Sequence, residues 1–185
     1  MSQPISLQNH KLKKAALRGF REWKRLLPSL SYLSETTRLM DLPDELILFF
    51  CEDTPKSRVL IYDLLMGIYG LGSGYEFESL PPDTVSALLD PFFLITDQIR
   101  FDCLRRLNWA RSSPAAERPI VELVLDIRDR IPPEFLEIPQ VTPQHPAYPL
   151  LKPNSLMEQA VLIRRLLPEA VSQFREKIRA EAPRG

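Results

Sequence analysis

The eighteen prolines of this chain limit where its helices can begin. Proline is tolerated at the first position of a helix but costs about 3 kcal/mol in a helix interior. Pro43 and Pro55 each precede an apolar run, which predicts helices over residues 44–51 and 56–69. Pro91 likewise predicts a boundary, with a short helix over 83–89 before it and a longer helix after it.

Composition and periodicity together predict an all-α fold. The chain has 185 residues, of which 44% are hydrophobic and 26% are charged, as in ordinary globular domains. Apolar residues recur at helical spacing through most of the chain, although residues 121–127 also alternate enough for a strand. We expect a single helical domain over residues 1–185, with about six to eight helices and a proline-rich extended strap before the last long helix.

The two apolar helices on either side of the glycine-rich segment should form a hairpin in the core. Six of their side chains are expected to be nearly inaccessible to solvent: Val59, Leu60, Leu64, Ile95, Ile99 and Cys103. Cys51 and Cys103 are too few for a disulfide framework, which predicts a reduced buried pair and favours the cytoplasm. The N-terminus lacks the apolar segment of a secretory signal, and organellar import stays open.

Four of the six glycines lie within residues 67–74, after an apolar helical run. A phosphate-binding glycine loop precedes a helix, whereas glycines that follow a helix end it, so no nucleotide site is predicted. Tyr75 and Phe77 then alternate with Glu76 and Glu78. We interpret residues 70–80 as a mobile recognition loop with Tyr75 and Phe77 as partner-binding residues, or alternatively as a loop whose two rings join the core.

Seven prolines between residues 132 and 153 exclude a regular helix or a central strand there. Pro143, Pro146 and Pro149 are spaced by three residues, which predicts one turn of polyproline II with all three rings on one edge. With Tyr148, this edge could bind an aromatic groove of a partner protein. The alternative is a strap that packs along the outside of the helical domain.

Residues 154–180 are predicted to form the C-terminal helix. Its apolar residues recur at alternating steps of three and four, which is typical of a heptad seam: Leu156, Ala160, Ile163, Leu167, Val171, Phe174 and Ile178. Pro168 interrupts the seam and predicts a kink or a break near Leu167. The seam can pack against the core or form a homodimer contact.

Residues 1–30 are predicted to contain a basic amphipathic helix. Residues 1–40 carry eight Lys and Arg against two acids, while residues 41–90 carry two against ten. The basic face contains candidate anion-binding residues: Lys13, Lys14, Arg18, Arg21, Lys24 and Arg25. Such a helix can dock Phe20 and Trp23 into the core, or it can bind an anionic membrane or nucleic acid.

No pattern in the sequence is typical of a catalytic site. The glycine run fits neither a dinucleotide fingerprint nor a nucleophile elbow, and the two histidines have no partners at a catalytic or metal-binding spacing. Glu122 and Asp126 share a helical face, but Arg118 and Arg130 are spaced to pair with them in a solvated ladder. No catalytic residue, metal or cofactor is predicted.

Residues 42–46, Leu-Pro-Asp-Glu-Leu, followed by apolar residues and Thr54-Pro55, resemble the opening of an F-box. F-boxes are helical adaptors that connect substrates to a ubiquitin ligase scaffold. The same pattern is also a helix that begins after proline, with acids in its first turn. The resemblance covers this short segment alone.

The sequence therefore predicts a non-enzymatic module for protein–protein interaction or an adaptor, with an unidentified protein partner. The alternative is binding of nucleic acid or an anionic membrane through the N-terminal helix. An enzyme of an unrecognised class is the third hypothesis.

Overall fold

The computed structural model describes residues 7–131, 133, 136–150 and 156–181. Within these ranges there are six α-helices and no β-strand or sheet. The α-helices are α1 Leu7–Leu26, α2 Asp44–Cys51, α3 Pro55–Tyr69, α4 Pro82–Arg106, α5 Ile120–Asp129 and α6 Leu156–Glu181. The prediction of an all-α fold is confirmed, and residues 120–129 are helical rather than extended.

The crossing of α1 and α3 forms one side of the core. Gly19 allows this crossing, because a Cβ at residue 19 would lie 2.6 Å from the Cα of Leu64. Phe20 and Trp23 are buried, and the Trp23 Nε1–H donates a hydrogen bond to the carbonyl of Leu60 at 2.8 Å. The C-terminal half of the apolar face of α1 is thus docked in the core through Phe20 and Trp23.

The predicted α3–α4 core is confirmed at five of its six positions, which are Leu60, Leu64, Ile95, Ile99 and Cys103. The prediction is wrong for Val59, which is half-buried on the turn of α3 that packs against Gly74. Cys51 and Cys103 are free and buried. A hydrogen bond to Cys103, together with burial, raises the pKa of the Cys51 thiol.

The boundary predicted at Pro91 is wrong, because α4 is one helix of 25 residues that contains Pro91. Proline removes one backbone hydrogen bond, but Leu88, Phe92 and Ile95 are buried on both sides of it. Packing of this apolar face stabilises the helix through the interruption. The helix α6 also continues through Pro168, so the alternative of a break near Leu167 is wrong.

The predicted polyproline II turn over residues 143–149 is also wrong. Polyproline II has no internal hydrogen bonds. Here the His145 N–H donates to the Thr142 carbonyl at 3.1 Å, and the Tyr148 N–H donates to the His145 carbonyl at 2.9 Å. Residues 148–150 form a short 3-10 helix. The three proline rings therefore do not share the edge of an extended helix.

Residues 138–148 pack against the chain that follows α4. Val141 is buried and forms an isolated bridge with Ala110. His145 is buried with its ring edge-on to Trp109, 4.6 Å between centroids. The interpretation as a strap is supported here, although the backbone turns rather than running extended.

The C-terminal helix packs on α2 and α4 through a face that includes Ile163, Leu166, Ala170 and Phe174, all buried. These residues follow helical spacing, so this face of α6 packs in the core of the chain. Of the predicted seam it contains Ile163 and Phe174. The other described seam members are half-buried, namely Ala160, Leu167, Val171 and Ile178, and the side chain of Leu156 lies outside the described residues. Leu167 and Val171 border the groove described below.

Candidate functional site

The two aromatic residues predicted to bind a partner from the loop have different environments. Tyr75 is 60% exposed. Phe77 is half-buried and stacks on Tyr62, with centroids 3.7 Å apart and planes inclined by 12°. Phe77 therefore fits the alternative in which the loop packs on the core. Tyr75 remains at the surface, as a recognition loop requires.

The segment that carries these rings is held to α3 by Asp63. One Asp63 oxygen accepts hydrogen bonds from the Gly74 N–H at 2.5 Å and from the Ser73 hydroxyl at 3.0 Å. Burial raises the pKa of Asp63, and these two hydrogen bonds partly offset that effect. The helix α3 itself ends at Gly70, whose φ of 71° is the left-handed conformation expected of a helix-terminating glycine.

The candidate residues of the strap are at the surface but belong to a separate region. Pro143, Pro146, Tyr148 and Pro149 are exposed. The segment is held at residues 108–111, where the Thr142 hydroxyl donates to the Asn108 carbonyl and the Arg111 N–H donates to the Gln140 carbonyl. No contact described among residues 136–150 joins them to Tyr75 or Phe77.

The candidate anion-binding face of α1 is only partly open. Lys14 and Arg21 are exposed, and Lys24 is half-buried. Arg25 is paired with Glu22 at 2.8 Å. The side chains of Lys13 and Arg18 lie outside the described part of the structure. Because Phe20 and Trp23 are buried in the core, these two aromatic side chains of α1 are not accessible for membrane insertion.

A concave surface beside α6 consists of three neighbouring pockets, which are connected through shared lining residues. Two of them are lined by α6, and the third is lined by the segments after α4 and after α5. The middle part is an apolar cleft of about 190 Å³ between α4 and α6. Its walls come from α4, α6 and the segment after α5, and they include Leu94, Phe101, Leu136, Ile138, Ala160 and Leu167. Asp97 and Arg164 also line this cleft. We call these three connected parts together the α6 groove.

The first end of the α6 groove, of about 440 Å³, is rich in arginine and shares Arg164 and Leu167 with the middle cleft. Arg100 and Arg175 complete its basic lining, together with Thr54. We call it the arginine end. Basic and apolar surfaces are therefore adjacent at the shared residues Arg164 and Leu167.

The second end, of about 720 Å³, shares Leu136 and Ile138 with the middle cleft. Arg111, Ser112 and Ser113 line its far wall. Ser113 is buried, and its hydroxyl has no hydrogen-bond partner within the described ranges. The hydroxyl oxygen is itself enclosed, so the exposed polar groups of this wall are those of Arg111 and Ser112.

The arginines of the α6 groove differ in how well their charges are matched. Arg175 donates two hydrogen bonds to one oxygen of Glu52, at 3.1 and 2.9 Å. Arg100 lies 3.6 Å from Asp97 and 3.7 Å from Asp53, beyond good hydrogen-bond distance. Arg164 is exposed and has no hydrogen bond or ion pair with another described residue. Two guanidinium groups thus retain donors for a ligand.

Asp97 lies between these two arginines and the apolar cleft. Burial raises its pKa, and the charges of Arg100 and Arg164 only partly offset this effect. The half-buried carboxylate is thus the acidic group nearest to both guanidinium groups, and its ion pair with Arg100 is long, at 3.6 Å. This arrangement binds charge and apolar surface but lacks a nucleophile with an adjacent base.

The sequence could not reveal this site because it combines distant segments. Leu94 and Arg100 come from α4, Leu136 and Ile138 from the segment after α5, and Arg164 from α6. Each lies in a pattern that also fits an ordinary helix or loop. Near α5, Arg118 forms an ion pair with Asp126, whereas the spacing of four residues predicted pairs of Arg118 with Glu122 and of Arg130 with Asp126.

Comparisons with protein families, with curated proteins and with solved structures find no match to this chain. The F-box resemblance of residues 42–46 thus has no support from a family model. In the structure Asp44 begins α2 and pairs with Arg106 and Lys177.

Two functional classes can be examined directly among the described residues. No helix there is both long enough and apolar enough to cross a membrane. Over the same ranges, no group of three or more His, Cys, Asp or Glu side chains is placed to hold a metal ion.

Proposed function

We propose that this chain is a non-enzymatic protein–protein interaction module, and that the α6 groove binds an extended segment of a partner protein. The observation that carries the proposal is the adjacency of the three pockets of the α6 groove. Its apolar middle shares residues with a polar region at each end. An extended peptide presents apolar and polar side chains in succession, which matches this order.

The exposed rim of the α6 groove supports the same proposal. Leu136 lines both the middle cleft and the second end, and it is 65% exposed. A large apolar side chain that borders a cleft gains most from burial by a ligand. Partner contacts by Tyr75 and by the exposed strap residues would extend this interface but are not needed for it.

We place the module in a reducing compartment such as the cytoplasm. Cys51 and Cys103 are both free and both buried. Two buried thiols in one core are typical of intracellular proteins, in which structural disulfides are rare.

A second candidate function is nucleic-acid binding through α1. Lys11, Lys14 and Arg21 are exposed on a helix whose opposite face is buried with Phe20 and Trp23. Binding that depends on these charges should weaken steeply as salt rises, because each neutralised phosphate releases counterions. Measurement of DNA and RNA binding at low salt, with Lys14→Glu/Arg21→Glu as the variant, tests this candidate.

The proposed groove function can be tested by selecting peptides from a random displayed library with the full-length protein. Leu136→Glu places a charge on the rim of the groove, and Phe93→Glu is its matched control. Phe93 is 56% exposed on α4 and does not line the groove. We expect selected peptides to lose binding to Leu136→Glu and to retain binding to Phe93→Glu.

Two results would contradict the proposal. One is the recovery of no peptides above background from a diverse library. The other is equal binding of the recovered peptides to wild type and Leu136→Glu, which would place their site elsewhere. Circular dichroism of both variants controls for folding, and exposed substitutions of this kind usually change stability by less than about 0.5 kcal/mol.

A further inference from the structure

We propose that the α6 groove recognises an acidic residue of its partner segment, held between Arg100 and Arg164, beside an apolar residue seated in the middle cleft. This inference rests on the proposed function and adds the chemistry of the ligand. The partner is therefore an acidic, apolar peptide rather than a nucleic acid or a basic segment.

Arg100 supplies the first half of the carboxylate site. It is fixed on α4, and its guanidinium is 27% exposed at the arginine end. Its two acidic neighbours, Asp97 and Asp53, lie at 3.6 and 3.7 Å. Asp53 is already engaged by Arg58 through hydrogen bonds of 2.8 and 2.9 Å. The Arg100 donors are thus oriented by nearby charge but not saturated.

Arg164 supplies the second half from the opposite wall. It lines both the arginine end and the middle cleft, and it makes no hydrogen bond or ion pair with a described residue. A guanidinium presents five donors in a planar fork that matches a carboxylate. Two such forks from different helices can bind one carboxylate from two directions.

The local charge balance favours an anionic ligand. Glu52 is paired with Arg175, and Asp53 is paired with Arg58. Besides these pairs, the arginine end holds Arg100 and Arg164, and the acid that remains for them is Asp97, 3.6 Å from Arg100. Two positive groups against one acid leave the arginine end positive, so a ligand carboxylate complements it.

The adjacency of the two sub-sites determines the arrangement of the ligand. Arg164 and Leu167 line both the arginine end and the middle cleft. An acid bound to Arg164 therefore leaves the neighbouring part of the peptide over the apolar walls, including Leu94. We expect an acidic residue within a few positions of a large apolar residue in the partner segment.

The test uses an array of peptides that each combine an apolar residue with one variable position, prepared with Glu, Gln or Lys at that position. Labelled full-length protein is the probe. We expect binding to fall about tenfold or more from Glu to Gln, as for loss of a charge-assisted hydrogen bond, and to be lost with Lys.

Matched variants identify the two arginines that are responsible. Arg164→Met and Arg100→Met should abolish the preference for Glu over Gln, since methionine keeps an apolar stem without the charge. Arg165→Met is the control, because Arg165 is exposed on the same helix and does not line the groove. This control should keep the full preference.

The outcomes separate the inference from the function on which it rests. Peptides that bind through Leu136 but show equal affinity with Glu and Gln would overturn the acidic site and leave the groove function intact. Loss of the preference in Arg165→Met as strongly as in Arg164→Met would also overturn it. Absence of all peptide binding, with self-association that Leu136→Glu abolishes, would instead assign the groove to a second copy of this chain and overturn both proposals.

Discussion

Arg106 and Arg100 lie on the same helix, yet their environments are opposite. Arg106 is 9% exposed and donates to Asp102 at 2.6 Å, to Asp44, and to the carbonyls of Leu39 and Met40. Arg100 is 27% exposed, and its acidic neighbours lie beyond good hydrogen-bond distance. The donors of Arg106 are used in contacts that stabilise the fold, whereas Arg100 keeps donors for a ligand.

The difference teaches that local spacing does not decide the role of a charge. Arg106 follows Asp102 by four residues and Arg100 follows Asp97 by three, so both fit ordinary helical ion pairs. The tertiary partners decide, since Asp44 reaches Arg106 from α2 while the other side of Arg100 opens into the α6 groove. A matched charge stabilises the fold, and an unmatched charge in a groove is suited to binding.

The largest effect is expected for Arg106→Met. The completely buried Asp102 side chain would keep only Arg105, and Asp44 would also lose Arg106, so we expect a loss of about 3 kcal/mol in the free energy of unfolding. Urea denaturation measures this loss. Arg105→Met is the control, because Arg105 is more exposed and its removal leaves Asp102 paired with Arg106. An equal effect of both variants would contradict the distinction.

The second-largest effect on stability should distinguish a buried residue at the floor of the α6 groove from an exposed residue at its rim. Ile163 is 1% exposed beneath the middle cleft, so Ile163→Ala should cost about 2 to 5 kcal/mol. Leu136→Ala at the exposed rim should change stability by less than about 0.5 kcal/mol. Thermal denaturation compares the two. Similar losses would show that the rim is part of the core and not a free binding surface.

The pH dependence of stability should have opposite signs at the two regions. Burial raises the pKa of Asp44, but Arg106 and Lys177 outweigh it and lower the pKa overall. The folded state then binds this proton less readily than the unfolded state, so its contribution is lost as pH falls below about 3.9. Burial raises the pKa of Asp97. Its contribution is present at low pH and lost as pH rises through the folded pKa.

Replacing each aspartate with asparagine tests these two predicted pH dependences of stability. Asp44→Asn should remove part of the acid-induced loss of stability. Asp97→Asn should remove the decrease in stability that accompanies rising pH above about 3.9. Chemical denaturation at a series of pH values measures both. If Asp97→Asn leaves the pH profile unchanged, its carboxylate is not destabilised by burial and competes fully for Arg100 and Arg164.

The smallest effect on stability is expected for Arg100→Met. Its contacts with Asp53 and Asp97 are long and partly exposed, so the free energy of unfolding should change by less than about 0.5 kcal/mol. Denaturation under the conditions used for Arg106→Met gives a direct comparison. A loss close to that of Arg106→Met would mean that Arg100 is also a structural residue.

Sequence patterns predicted the elements whose stability is local. The helices predicted over 44–51 and 56–69, the glycine that ends α3, and the burial of Phe20 and Trp23 follow from capping, backbone freedom and apolar spacing. The predictions at Pro91 and Pro143 are wrong because tertiary packing continues α4 and hydrogen-bonded turns replace the extended strap. Local preference was weaker than packing at those positions.

The α6 groove was beyond the reach of sequence reasoning for a different reason. Its lining comes from residues 94–101, 136–138 and 160–167, and no local pattern indicates that they meet. Arg164 looks like any exposed residue of an amphipathic helix. Only its position beside Arg100 and the apolar cleft, and its lack of a partner among the described residues, distinguish it.

The most direct test of the account is nuclear magnetic resonance of the arginine Nε–H groups during titration with the best-binding Glu peptide of the array. The signals of Arg100 and Arg164 should shift with one common affinity, while the signal of Arg106, whose Nε–H already donates to Asp102, should stay in place. The matched Gln peptide should produce smaller shifts at much higher concentration. Peptide binding that leaves Arg100 and Arg164 unchanged would contradict the central claim that their unmatched charges receive the partner.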